Sequence, residues 1–143
     1  MAFALLDQIR SIFDGDPGVR KVADDPVLSA ELLILFRMIL ADGSVSESEM
    51  ETFHRICRDS FSIPESSIDK VIDYLNDSGY ETSGSQAMAS FQDLEVERRK
   101  LLARHMVEIA RADRHLAESE VKLLRRTLDI LGISPVDAVK PED

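Results

Sequence analysis

A nine-residue stretch recurs in this chain at a fixed distance, and that recurrence limits the folds open to it. Asp42-Gly43-Ser44-Val45-Ser46-Glu47-Ser48-Glu49-Met50 is followed 71 residues later by Asp113-Arg114-His115-Leu116-Ala117-Glu118-Ser119-Glu120-Val121. Four of the nine positions are identical, and Val45/Leu116 and Met50/Val121 match in kind. Each copy follows a long apolar run, LLILFRMILA before the first and LLARHMVEIARA before the second. An apolar run that stops at a turn signal and restarts after an acidic first turn is a helix, a corner and a second helix. At the first corner Gly43 can take the left-handed conformation that closes a helix. Ser46 fits as N-cap with Glu49 three residues on, a capping box, and Val45 with Met50 can form a hydrophobic staple. The chain therefore reads as two related helix-corner-helix units.

The remaining residues fit an all-α reading. From Val27 to Ala41 nearly every position is apolar, with Ser29, Glu31 and Arg37 the exceptions, so this is a buried central helix. Asp24 or Asp25 with Pro26 supplies its start. A helix from Glu47 to Phe61 buries Met50, Phe53, Ile56, Cys57 and Phe61. The next helix, from Ser62 or Pro64, carries Ile68, Val71, Ile72 and Leu75 and should stop at Asn76 to Gly79. Residues 80–85 are the least structured interior stretch, and Gln86 to Phe91 suit a short helix. Leu94 to Ala112 is the second long helix, with Leu94, Leu101, Leu102, Met106 and Ile109 inward. Ala117 to Leu131 then buries Val121, Leu124, Leu128 and Leu131, Gly132 serves as C-cap, and the tail from Ser134 is a turn and a frayed end. At the other terminus, Phe3, Leu6, Ile9 and Phe13 make an amphipathic helix. The turn-rich Asp14 to Gly18 separates it from the rest. The organisation expected is an arm and turn over residues 1–25 and one helical domain over 26–143. The arm either packs on the domain or docks a membrane surface or a partner.

Charge narrows the function. A net charge of -10 is unsuited to nucleic acid, whose phosphates need a positive surface. It points to solubility, basic protein partners or cations. One cysteine, Cys57, allows no internal disulfide and suits a reducing compartment. No transmembrane segment is present, because roughly 18 uninterrupted apolar residues are needed and Arg37 breaks the longest run. The start, with Asp7 and Arg10, does not read as a signal peptide. A cytoplasmic protein is expected.

Two corners of this form, each behind a long apolar helix, resemble the tellurite-resistance TerB-like family, and also the N-terminal domain of a membrane-anchored DnaJ-type co-chaperone. The residues that carry the resemblance are Ala41-Asp42-Gly43-Ser44-Val45 with Glu49, Ala112-Asp113-Arg114-His115-Leu116 with Glu120, and Leu131-Gly132-Ile133. It covers roughly residues 28–133. What it implies is an all-α bundle of about seven helices with an internal pseudo-twofold repeat and no established catalytic activity. It further implies a role in tellurite or stress resistance, often near membranes, with a peripheral position at the inner membrane as one option. Divalent-metal binding by acidic corner residues is the chemistry implied. The second corner departs from the pattern, with Arg114 in place of Gly43 and Ala117 in place of Ser46. A non-glycine residue at positive φ is costly, so that corner should take another turn or be strained.

Two readings of Asp42, Glu49, Asp113 and Glu120 stand side by side. They are helix caps and first-turn acids that complement the macrodipole, or they share a divalent cation such as Ca, Mg, Mn or Zn. Asp42 to Glu49 matches the second half of an EF-hand loop, but Met38 and Leu40 occupy earlier ligand positions and offer no oxygen, which excludes a complete EF-hand. His54 and Cys57 share a helix face but are only two ligands, and Cys57 lies in the apolar stripe. His105 suits a core or boundary histidine and His115 a solvated corner. No phosphate loop, nucleophile elbow or His-Glu-x-x-His occurs, so the expectation is a non-catalytic module, with a metal-free protein-interaction adaptor as the alternative.

Overall fold

The computed structural model describes residues 16–41, 43, 45–81, 88–113 and 116–139. The N-terminal arm, Asp42, Ser44, Arg114 and His115 lie outside the described residues. Seven α-helices and one 3-10 turn make up what is described: α1 (Pro17–Ala23), α2 (Pro26–Leu40), α3 (Glu47–Phe61), α4 (Glu65–Glu81), the turn Ser90–Asp93, α5 (Val96–Ala112), α6 (Glu118–Leu131) and α7 (Pro135–Val139). No strand occurs among the described residues, as the all-α reading requires.

Local chemistry starts these helices. Asp16 and Asp25 are N-caps whose carboxylates accept from Val19 and from Val27 and Leu28, each with proline at the first helical position. Ser46 Oγ accepts from the Glu49 amide at 3.4 Å, the first arm of the expected capping box. Ala117 caps α6 with no side-chain bond, as alanine must. Gly43 and Gly132 stand at φ 82 and φ 69, in the left-handed region foreseen for both.

The helices pack as the repeat demands. α2 is buried on most of its surface and lies against α5. α3 packs on α5, and its counterpart α6 packs on α2. α4 packs on α2, and α7, which follows Gly132 by the same three residues as α4 follows Ser62, packs on α5. Two contacts fix the direction of the central pair. Arg55 on α3 meets Glu108 on α5, while Ser60, later on α3, meets His105, earlier on α5, so these helices are antiparallel. α3 also folds back on α2, with Phe36 and Phe53 ring centres 6.0 Å apart. Hence α2 and α5 run in the same sense, as contact between Glu31 and Arg98 in their first halves confirms. Both corners therefore lie toward one end of the bundle.

Several expectations need correction. The stretch expected as a turn joins the bundle, since Pro17–Ala23 is helical and buries Val19 and Val22. It packs on α4 so closely that a Cβ at Gly18 would stand 2.4 Å from Ser67 Cβ. Asp16, also buried, accepts from Ser67 Oγ at 2.7 Å. α4 runs through Asn76 and Gly79 to Glu81, because one glycine costs about 1 kcal/mol, too little by itself to end a packed helix. Leu101, Val121 and Leu124 are half-buried rather than buried, and the frayed tail begins with a short helix that buries Ala138. Ser62, at φ 54, is the only non-glycine residue with a positive φ among the described residues.

Candidate functional site

Each corner brings one acidic residue inside the protein. Glu49 and Glu120, third residues of α3 and α6, are 1% and 0% exposed. Glutamate is almost never buried to this degree without compensation, because a desolvated carboxylate is costly. The amides at a helix N-terminus, with their partial positive charge, supply part of that compensation. Asp113 is half-buried and leaves α5 in an extended conformation (φ -103, ψ 139). Asp42 lies outside the described residues.

Of the four sequence candidates, Glu49, Asp113 and Glu120 are thus set toward the same end by the parallel run of α2 and α5. Among the described residues, no group of three or more His, Cys, Asp or Glu side chains is arranged to hold a metal ion.

The histidine and cysteine candidates separate. Cys57 is fully buried, and burial, with the Glu65 charge adding to it, pushes its thiol up to about 12, so it is a core thiol. His54 faces α4 instead, with Nδ1 3.2 Å from Glu65 and Nε2 3.9 Å from Asp69. His105 is buried on α5, where Nε2 lies 3.0 Å from Ser60 Oγ and the ring meets the edge of Phe61. His115 lies outside the described residues.

Two polar pairs escaped the sequence reading. One is Ser60 with His105; 71 residues away, Ile34 and Leu131 hold the matching positions as hydrophobes. The other joins Glu31 to Arg98, whose Nη2 and Nε lie 2.6 and 3.1 Å from one carboxylate oxygen. A lone acid inside an apolar run was the available signal for Glu31, but nothing local named Arg98 as its partner.

A family described as tellurite resistance protein TerB matches residues 29–141. The chain belongs to the TerB family. The matched span contains both corners and all described helices except α1 and the first residues of α2. This confirms the resemblance carried by the two corners and makes the chain a tellurite-resistance-type module. A search of curated proteins finds no match. A solved structure, a protein of unknown function from Porphyromonas gingivalis, superposes with a TM-score of 0.60 at 22% identity, over 80% of this chain and 90% of that one. At that identity the likeness speaks for the TerB-like fold alone. No helix among the described residues is long and apolar enough to cross a membrane.

Proposed function

We propose that this TerB-family chain is a non-catalytic, cytoplasmic module of tellurite and stress resistance that binds a divalent cation at the corner end of its bundle. The supporting observation is the burial of Glu49 and Glu120, equivalent positions of the repeat, toward one end. A cation at that end would offset the charge of the buried acids. Asp42, Glu49, Asp113 and Glu120 would supply the oxygens, a donor set that favours Ca, Mg or Mn over Zn. The non-catalytic half of the reading draws on Ser60 and His105. Ser60 stands at the C-terminal end of α3, where carbonyls rather than amides face outward, a setting that does not favour an oxyanion.

The test is thermal stability after dialysis against EDTA. Saturating Ca, Mg, Mn or Zn at about one hundred times its Kd should add about 2.7 kcal/mol. The pair Asp42→Asn with Glu49→Gln should abolish the gain, and Asp113→Asn with Glu120→Gln should do the same. No shift with any ion, or a shift that survives both pairs, leaves these residues as helix caps.

A further inference from the structure

The outer face of α3 carries a groove of about 340 Å³, open to solvent and lined by Glu47, Met50, Glu51, His54, Arg55, Arg58 and Glu65. Its cations are already engaged within the chain. Arg55 is held by Glu108 at 2.7 Å, and Arg58 lies 3.1 Å from Asp59 and 3.4 Å from Glu65. Glu47 and Glu51 are exposed, and neither has an ion pair or side-chain hydrogen bond among the described residues. Glu47 benefits from the helix N-terminus, but Glu51 lies beyond the first turn and is a like charge four residues away, an arrangement that does not stabilise a helix.

Apolar surface adjoins these acids. Val45 is 55% exposed and Leu40 39% exposed at the corner that opens onto α3, and Met50 is half-buried in the groove. The staple that would have covered Val45 leaves it open, so helix capping does not account for it. The repeat supplies an internal comparison. Glu118 and the exposed Leu116 repeat Glu47 and Val45, but Lys122, Arg125 and Val136 stand 71 residues after Glu51, His54 and Glu65, and Lys122 lies 3.5 Å from Glu118, so an acid pair without a neutralising lysine belongs to the first half.

We propose that this groove docks a helical segment of a partner protein that carries lysine or arginine beside an apolar stripe. The apolar stripe would lie on Val45, Leu40 and Met50, and the basic side chains would meet Glu47 and Glu51. An acidic rim with no cation left to neutralise it selects such a partner by charge. The chain's own arm fits poorly, since its single Arg10 is outnumbered by Asp7 and Asp14.

The test titrates a fluorescent model helix of leucine and lysine, about eighteen residues long so that it spans the face of α3, into the full chain in EDTA. Saturable one-to-one binding is expected, weakened about tenfold by Glu47→Gln with Glu51→Gln and less dependent on salt in that variant. Val45→Ser should also weaken it, whereas the second-half controls Glu118→Gln and Leu116→Ser should not. Unchanged melting temperatures in all variants keep the comparison interpretable. Absence of saturable binding, equal loss with the second-half controls, insensitivity to both first-half variants, or displacement of the peptide by self-association of the chain would overturn the proposal. Because EDTA is present throughout, failure here leaves the cation reading standing, and the reverse also holds.

Discussion

Ser62 shows how a single residue carries the cost of a bend. At φ 54 and ψ 37 it holds the left-handed conformation that ends α3, and its amide donates to the Cys57 carbonyl. A side chain there meets the following carbonyl, at a cost of roughly 1 kcal/mol. The equivalent bend after α6 uses Gly132, which avoids that cost. Ser62 is exposed, and its hydroxyl makes no hydrogen bond among the described residues, so replacement removes no contact. Ser62→Gly should therefore raise stability, read from the urea midpoint, by at most about 0.5 kcal/mol once the added freedom of the unfolded chain is subtracted. A lowered midpoint would mean that the hydroxyl does more than the geometry suggests.

Between elements, the Glu31–Arg98 pair joins the two central helices. Glu31 is 2% exposed and the Arg98 side chain 41% exposed, so the two partners are affected differently. Burial dominates at Glu31 and raises its carboxyl above the usual 4.5, and hydrogen bonding and charge from Arg98 only partly oppose it. Arg98 is raised, chiefly by its hydrogen bond to Glu31, since a half-open guanidinium loses little hydration. A carboxyl whose pKa is raised on folding contributes stability fully below its unfolded value of 4.5, and that contribution is lost as pH rises through the folded value. Glu31→Gln keeps the shape but cannot ionise. Its stability relative to the parent should improve as pH rises from 4.5 toward neutrality, read from denaturant midpoints at each pH. A difference that shrinks over that range would mean that Arg98 outweighs burial.

For the whole molecule, the repeat does not make two independent domains. α2 lies against α5, α3 packs on α5 and α6 packs on α2, so each half buries its apolar face against the other. A fragment ending after α4 and one beginning at Met88 should each lack a stable core and show little fixed helix by circular dichroism. Mixed, they should regain helicity together, and the intact chain should unfold in one transition. A half that folds alone with a sharp transition would show that its core is self-contained. The same crossing of halves sets both corners toward one end, on which the cation reading depends.

The sequence by itself determined the longer helices, the corners and the repeat, because these rest on interactions within a few residues, but it missed the short helices α1 and α7. Apolar spacing marked the buried faces of α2 and α3, Ser46 and Gly132 marked ends that local hydrogen bonds complete, and the 71-residue spacing disclosed the duplication. The family followed from the same two corners. Residues whose environment comes from distant chain were not legible in this way. Val121 and Leu124 continue a helical stripe but remain half-open, because burial depends on which helix arrives opposite them. Glu31 found Arg98 and His105 found Ser60 across separations of 67 and 45 residues, for which no local pattern encodes a partner. Only the tertiary structure decided that Glu49 and Glu120 lie inside the protein, and that α2 and α5 run in the same sense and carry both corners to one end. Helix direction in a bundle is set by how apolar faces from distant segments pack together, and spacing along the chain does not contain that information.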